Sequence, residues 1–375
     1  MVKKLVVFPN DALLDYYNKG EIKERYFNPE NWFEEIHIIS LFDNEIEEQK
    51  VQKLAGNAKL IIHNFGKVNL TNYKSYEGKI MTKISEINPA IIRSFNPRIQ
   101  GWLATKIGNK LNVPVIISLH TNYLQQTNLE KKQGNYFKFL KLKYLAKKLE
   151  KFSLNNSDAV ICVYEFIVPY AKQMNARNIE VIYNKIDLKK FSTEITKKFV
   201  SKKPVIISVG RLIEQKNRIP LIKSIKELDV ELLIIGDGPE LENINSTIEH
   251  NNLKSKVKII KKIPNEELAQ YYRSADIFAL PLENLDGIPI PFLESMACGL
   301  PVVTTKHSDS FSEITDEAVV FVENDPQEFC KTFQKIISDS EYKEKLISKS
   351  LKIAKLIGGD SMESKELELY QKYIK

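Results

Sequence analysis

The chain has 375 residues, of which 43% are hydrophobic and 27% are charged, and its formal net charge is +7 at pH 7. This composition excludes a disordered or fibrous protein, and the length predicts two domains. No apolar run reaches the roughly 18 residues that a transmembrane helix needs. The first run, residues 4–8, is too short for the core of a signal peptide and predicts a strand.

Short β-branched runs alternate with segments of helical period along two stretches of the chain. The first stretch predicts strands at 4–8, 36–40, 60–63, 90–94, 114–120, 159–163 and 181–183. The second predicts strands at 204–209, 231–236, 257–261, 277–281, 301–305 and 318–322. Because these runs are continuously apolar, the strands should be buried on both faces, as in parallel sheets covered by helices. The sequence therefore predicts an α/β protein with two parallel sheets.

The polar, lysine-rich segment 184–203 separates the two stretches, and it predicts a linker between two Rossmann-like halves. We place the first domain at 1–190 and the second at 191–355. A last helix within 356–375 is expected to pack back on the first domain. Cys162 and Cys298 lie in apolar or small-residue surroundings without metal-ligand spacing, which fits a reducing cytoplasm.

The segment 131–151 is both basic and apolar, since it contains eight lysines and one glutamate among aromatic residues and leucines. It predicts a basic amphipathic helix, which suits an anionic membrane surface. The pattern also fits a solvated helix that packs one apolar stripe on its own domain, and we favour that interpretation. Nucleic acid is not an expected partner, because no zinc, RNA-binding or helix-turn-helix signature accompanies the lysines.

Glycines and cations follow the strands of the second stretch, at the strand ends where doubly wound sheets bind ligands. Gly210, Arg211 and Lys216 follow the run 204–209. A guanidinium and an ammonium group that converge on one crevice suit a diphosphate, although an isolated pair of this kind is usually a surface feature. Gly236 begins a Gly-Asp-Gly turn that lacks the GxGxxG spacing of dinucleotide-binding proteins.

The stretch DGIPIPFLESMACGLPVVTT places Asp286 before a Gly-Ile-Pro-Ile-Pro turn and Glu294 after it. Pro291 predicts the first position of a helix that stops at Gly299, so Glu294 is expected in the first helical turn. Unpaired N–H groups and the helix dipole make such a turn a candidate anion site. A first-turn glutamate and an Asp-Gly turn are also common where no ligand binds.

In their order along the chain, four segments resemble the family 4 type of retaining nucleotide-sugar glycosyltransferases, which have the GT-B fold. These segments are SVGRLIEQKN, GDGPELENI, NEELAQYYRSADIFALP and DGIPIPFLESMACGLPVVTT. The resemblance covers about residues 159–325, and PVIISLHTN at 114–122 is similar to the family's P-V-V-T-x-H-G. It implies two Rossmann-like doubly wound domains that face a central cleft.

The resemblance implies a role for each matching residue. Arg211 and Lys216 would grip the donor diphosphate, and Glu294 would hold the donor ribose. Asp286 would face the transferred sugar in place of the family's usual glutamate. His120 would line the sugar pocket, although without the resemblance it is a capped histidine at a strand end. Further donor contacts are implied for Gly210, Gly236, Gly287, Ile288 and Pro289.

The resemblance also implies the reaction and its location. A UDP- or GDP-linked sugar would bind the second domain, and a glycan, lipid-linked or polysaccharide acceptor would bind the first. Domain closure would exclude water. Neither a cofactor nor a metal is expected, because two cations and a helix dipole would stabilise the leaving group. The expected location is the cytoplasm, at the inner face of the membrane.

Two departures from the family pattern keep alternatives open. Asp286 is one methylene shorter than the usual glutamate, and the stretch after the first strand lacks the glycine pair of many relatives. A non-catalytic protein that binds sugar nucleotides is therefore one alternative. A nucleotide-sugar epimerase is a weaker one, because that family lacks this spacing.

Overall fold

The computed structural model describes residues 2–20, 22–43, 46–283, 288–306 and 318–374, apart from the side chains of Lys19, Gln126 and Lys132. The chain divides into two compact units. The first consists of Met1–Tyr183 with Met362–Lys375, and the second is Asn184–Ser361.

A parallel sheet of seven strands forms the centre of the first unit. Its strands are β1 (Lys4–Phe8), β2 (Glu35–Ser40), β3 (Lys59–Asn64), β4 (Ile91–Ser94), β5 (Val115–Leu119), β6 (Ala159–Cys162) and β7 (Ile179–Val181). Their order across the sheet is β3-β2-β1-β4-β5-β6-β7. All residues of β4, β5 and β6 are buried, and most of them are apolar, as expected of strands covered on both faces.

Helices connect the strands of the first unit. They are α1 (Leu13–Lys19), α2 (Glu48–Val51), α3 (Tyr73–Ile87), α4 (Ile99–Leu111), α5 (Tyr123–Lys132), α6 (Tyr136–Leu145), α7 (Lys151–Asn156) and α8 (Val168–Gln173). A π-helical turn, Ala146–Glu150, joins α6 to α7 without a break.

The second unit has a parallel sheet of six strands in the order β10-β9-β8-β11-β12-β13. These are β8 (Val205–Val209), β9 (Glu231–Ile235), β10 (Val257–Ile260), β11 (Ile277–Leu280), β12 (Val302–Thr305) and β13 (Val319–Val322). Its helices are α9 (Ile219–Ser224), α10 (Leu241–His250), α11 (Asn265–Arg273), α12 (Ile290–Ala297), α13 (Pro326–Ser338) and α14 (Ser340–Ile357). Ile206, Ile234, Phe329 and Phe333 are fully buried in its core.

The last helix, α15 (Asp360–Tyr373), packs on the first unit. Glu363 accepts hydrogen bonds from Arg25 Nη2 at 3.1 Å and from the Glu30 backbone N–H at 2.7 Å. Near the end of the helix, the Tyr373 hydroxyl donates to the Asp158 carbonyl at 3.0 Å. These bonds tie the end of the chain to residues that lie far away in sequence.

Both sheets reverse their strand order at one place. In the second unit β8 lies between β9 and β11, so the chain moves outward from β8 first in one direction and then in the other. Doubly wound sheets bind ligands at this switch point, outside the carboxyl ends of the strands. The loops after β8 and β11 therefore occupy the position where a ligand site is expected.

The predicted class, two parallel sheets covered by helices, is confirmed, and each of the thirteen predicted strands is present in the described chain. One strand is displaced: the run 181–183 predicted it, whereas β7 is Ile179–Val181. Pairing with β6 sets this register, since Val160 lies opposite Ile179.

The predicted helix over 131–151 is interrupted. α5 ends at Lys132 and α6 begins at Tyr136. Gly134 between them has a φ of 77°, which a right-handed helix does not accommodate. Residues 184–203 contain no helix or strand and belong to the second unit, in which Ile186 and Phe191 are buried.

Candidate functional site

The loop after β8 continues the sheet beyond the end of the strand. The Gly210 backbone N–H donates to the Ile235 carbonyl at 2.9 Å, and the Leu212 N–H donates to the Asp237 carbonyl at 2.9 Å. Two loops at the switch point, 210–212 and 236–238, are thereby joined by backbone hydrogen bonds.

Glycine is required where these loops meet. Gly236 has a φ of 154°, and a Cβ atom built on it would lie 2.1 Å from the Gly210 carbonyl oxygen. A Cβ atom on Gly238 would lie 2.3 Å from the Leu212 carbonyl oxygen. Because both clashes are with backbone atoms, a side chain at either position must displace the opposite loop. The Gly-Asp-Gly turn thus allows the loop 236–238 to pack closely against the loop that carries the cations.

Three cations converge on Gly210. A Cβ atom built on this glycine would lie 2.9 Å from Lys216 Nζ and 3.6 Å from Arg218 Nη2, so both side chains lie close to its backbone. Arg211 follows directly and is exposed, Lys216 is half-buried, and Arg218 is buried. The predicted pair Arg211 and Lys216 is therefore on one loop, and Arg218 is a third cation that the sequence analysis missed.

The neighbouring cations disfavour the charged form of Lys216. Burial first, and then the neighbouring Arg218 and Arg211, lower the pKa of Lys216 to about 8. Within the described residues, none of the three forms an ion pair with a carboxylate. A cluster of this kind attracts an anion, because an anion supplies the missing opposite charge.

The loop after β11 contacts the turn that carries Lys216. The Glu283 backbone N–H donates to the Gln215 carbonyl at 2.8 Å, and Asn217 Nδ2 donates to the Glu283 carboxylate at 2.8 Å. Asp286 and Gly287, which follow in this loop, lie outside the described residues. Ile288, at which the description resumes, is buried.

The prediction that Glu294 lies in the first turn of its helix is wrong. α12 begins at Ile290, with Pro289 before it and Pro291 as its second residue. Proline fits there as well, because that N–H group also lacks a partner within the helix. Glu294 is thus the fifth helical residue and lies beyond the unpaired N–H groups.

A tyrosine holds Glu294 in place. The carboxylate is buried, and Oε2 accepts a hydrogen bond from the Tyr272 hydroxyl at 3.1 Å. Burial, and then Glu294 itself, raise the pKa of Tyr272 well above its usual value, so the phenol stays protonated as a donor. Tyr272 lies on α11 within NEELAQYYRSADIFALP, a segment used for the family resemblance without a role for the tyrosine.

His120 follows β5 in the first unit, where its ring stacks on Phe95 with centroids 5.7 Å apart. Its Nε2 atom is buried and has no hydrogen-bond partner among the described residues. Burial first, and then Arg93 and Lys23, lower the pKa of His120 to about 3. The imidazole is therefore neutral near pH 7. Its proposed place beside a donor sugar stays a prediction.

The described residues contain no group of three or more His, Cys, Asp or Glu side chains arranged to hold a metal ion. Likewise, none of the described helices combines the length and the apolar character that crossing a bilayer requires.

Two family patterns match the chain. The pattern of the family described as glycosyl transferases group 1 matches residues 191–352, and that of glycosyltransferase family 4 matches residues 35–190. The two matches adjoin between residues 190 and 191.

Curated relatives include an uncharacterized glycosyltransferase of Methanocaldococcus jannaschii. It is 26% identical over 319 residues, which are 83% of this chain and 82% of the relative. A second relative is the GDP-mannose-dependent α-(1-6)-phosphatidylinositol monomannoside mannosyltransferase of Mycolicibacterium smegmatis. It is 31% identical over 125 residues, 30% of this chain and 33% of the relative, so this match covers about a third of each protein.

Among solved structures, the Anabaena protein HepE in complex with UDP has a TM-score of 0.74 to this chain at 14% identity. The alignment covers 98% of this chain and 100% of HepE. At this identity the similarity is one of fold.

The glycine contact in the site predicts a selective loss of stability. Gly236→Ala should lower the free energy of unfolding of the second unit by about 1–3 kcal/mol, because the added Cβ atom meets the Gly210 carbonyl oxygen. Gly78→Ala is the control, since Gly78 lies within α3 and a Cβ atom there meets nothing within 4 Å. It should raise stability by up to about 1 kcal/mol. Urea unfolding measures the stability of both variants. Equal midpoints for the two would contradict the requirement for glycine at position 236.

Proposed function

We propose, on the premise that the chain belongs to the family 4 type of glycosyltransferases with the GT-B fold, that its donor is a nucleoside-diphosphate sugar. The sugar would pass to a glycan, lipid-linked or polysaccharide acceptor. The observation that supports the donor is the pair Arg211 and Lys216 beside Gly210, at the switch point of the second sheet. A diphosphate matches this pair in charge and in hydrogen-bonding geometry.

The cations act on the leaving group. As the bond between the sugar and the diphosphate breaks, negative charge grows on the phosphate oxygens. Lys216 is already held against the backbone of Gly210, so little reorganisation is needed to stabilise that charge. Arg211, which is exposed, offers a planar fork for two phosphate oxygens. Anion binding should also raise the pKa of Lys216, because it offsets the repulsion of the neighbouring cations.

Glu294 is proposed to accept hydrogen bonds from the hydroxyls of the donor ribose. Tyr272 fixes one oxygen of the carboxylate and so sets the orientation of the whole group. Asp286 is proposed to face the transferred sugar, with Gly236, Gly287, Ile288 and Pro289 lining the donor site as further backbone contacts. The donor nucleotide is proposed to be UDP or GDP. The relative from M. smegmatis is named for GDP-mannose, and HepE was solved with UDP.

We further propose that the reaction retains the anomeric configuration, that the leaving phosphate takes the acceptor proton, and that no metal is needed. Arg211 and Lys216 supply the positive charge that a metal supplies in other enzymes. Proton NMR of the anomeric centre of the product, with EDTA present, tests these statements. An inverted anomer contradicts retention, and activity lost to EDTA contradicts metal independence.

The donor site predicts the effect of removing one cation. UDP or GDP should raise the thermal midpoint of the protein in EDTA, because a ligand that binds the native state stabilises it. Arg211→Ala should lower the affinity for this nucleotide about 10- to 100-fold, as expected for a lost charge-assisted hydrogen bond. Lys223→Ala, which removes an exposed cation from α9, is the matched control and should bind like the parent. No stabilisation by any nucleoside diphosphate would contradict the donor class, and binding without any transfer would favour the non-catalytic alternative.

A second part of the proposal concerns a membrane surface. α6 and the π-helical turn after it are apolar on two sides: Leu142, Leu145 and Leu149 are buried against the first unit, where they contact Trp102. The opposite side, which we term the outer face, carries large exposed side chains. They are Tyr136, Phe137, Leu140 and Tyr144, which are 65%, 88%, 61% and 57% exposed. Surface helices normally turn a polar side to water, so the outer face is unusual for a helix that stays in solution.

Positive charge surrounds the outer face. Exposed lysines on the same segment are Lys131, Lys138, Lys141, Lys143, Lys147, Lys148 and Lys151, of which Lys138 forms an ion pair with Glu130. Between residues 131 and 149 the sequence has no acidic residue. Glu150 is buried, where it accepts from Arg98 Nε at 2.8 Å and from the Tyr170 hydroxyl. This network anchors the segment to the unit and leaves its exposed side basic.

Charge selects the partner of the outer face. A second copy of the chain that met this face symmetrically would bring lysines against lysines. An anionic bilayer instead accepts aromatic side chains at the headgroup level and gains about 1 kcal/mol for each nearby lysine. We therefore propose that the protein works in the cytoplasm, with the outer face on the inner leaflet. A lipid-linked acceptor would be presented at the same surface.

Vesicle binding tests the outer face. The protein should sediment with vesicles that contain phosphatidylglycerol and much less with pure phosphatidylcholine. A triple variant, Phe137→Ser with Leu140→Ser and Tyr144→Ser, should bind at least about tenfold more weakly, because apolar area no longer leaves water. Leu356→Ser is the control, since Leu356 is 67% exposed on α14 of the second unit. Equal binding by the triple variant and the parent would contradict the proposal.

A further inference from the structure

Arg218 is buried, with 1% of its surface exposed, and it lies directly before α9. Its guanidinium donates from Nε to Ser208 Oγ and from Nη2 to the Gly210 carbonyl, both at 3.1 Å. Nη1 donates to the Arg211 carbonyl at 3.1 Å and to the Lys216 carbonyl at 3.4 Å. Four of its five N–H groups are thus used by the end of β8 and the loop after it.

This arrangement holds the loop in one shape. The three carbonyls that accept from Arg218 belong to Gly210, Arg211 and Lys216, which are the residues of the proposed donor site. The guanidinium therefore fixes the backbone positions from which the side chains of Arg211 and Lys216 extend.

The charge of Arg218 has no described carboxylate partner, and a buried cation without one carries a large desolvation cost. Burial lowers its pKa to about 10, so the group is still protonated near pH 7. A neutral side chain could hold the loop without that cost. The retained charge is explained if an anionic ligand completes the site.

We propose that Arg218 is a positioning residue of the donor site, which shapes the loop that presents Arg211 and Lys216 and adds positive potential where the diphosphate binds. The inference rests on the proposed function. Arg218 acts through its neighbours, because nearly all of its donors are occupied within the loop.

The charge of Arg218 also affects Lys216, since both side chains lie against Gly210. Arg211 adds to this repulsion. Of the acids on the adjoining loops, Glu283 accepts from Asn217, and Asp237 accepts from the Gly238 N–H at 2.8 Å. The free protein loses the Lys216 proton near pH 8, and an anion restores it. Nucleotide affinity should therefore be constant below pH 8 and fall as the pH rises above it.

Calorimetric titration with UDP and GDP between pH 6.5 and 10 tests the inference. For the parent, the affinity of the nucleotide that binds should fall with a midpoint near pH 8. Arg218→Met should bind at least about tenfold more weakly at pH 7, and its midpoint should move upward because Lys216 has lost a neighbouring cation. Arg218→Lys retains the charge but loses the fork, so it should bind more weakly with an unchanged midpoint. Lys216→Met should abolish the fall near pH 8.

The outcomes separate the inference from the function on which it rests. Binding by the parent, together with parental affinity and midpoint in Arg218→Met, would overturn the role of Arg218 alone. If Arg218→Met does not fold, Arg218→Lys provides the test. Parental affinity in that variant would overturn the role of the forked guanidinium. Absence of nucleotide binding by the parent at every pH would overturn the proposed donor site and this inference with it.

Discussion

The close approach of two backbone loops determines the rest of the proposed donor site. Gly236 allows the loop after β9 to lie directly against Gly210, and hydrogen bonds between the loops fix their distance. This arrangement places the side chains of Lys216 and Arg218 against the same glycine, Gly210. The electrostatics follow from this geometry, because cations forced together at the switch point of a parallel sheet favour an anion, and Arg218 and Arg211 add to the effect of burial in lowering the pKa of Lys216.

Much of the fold could be predicted because buried parallel strands leave a strong sequence signal. The run VIISV at 205–209 is apolar at nearly every position and became β8, and the turn at Gly236 followed β9 as expected. The pair Arg211 and Lys216 could be assigned to one loop because both follow a single strand. The displaced strand β7 shows the limit of this approach. Its ends are set by pairing with β6 and not by the local sequence.

The remaining features depend on contacts between distant segments. Tyr272 lies 22 residues before the carboxylate it holds, and no local pattern links the two. Arg218 could not be separated from an ordinary surface arginine, because its burial depends on how the loop folds around it. The outer face was ambiguous for a related reason: the sequence predicted an apolar stripe, but only the structure shows that a second apolar side remains exposed beside the buried leucines.

The central claim is that the cations around Gly210 bind the diphosphate of a sugar nucleotide. A crystal structure of the protein with bound UDP or GDP tests it most directly. The account predicts phosphate oxygens within about 3 Å of Lys216 Nζ and of the Arg211 guanidinium, with the ribose at Glu294. A nucleotide whose phosphates lie away from Gly210, or whose ribose does not reach Glu294, would contradict the account.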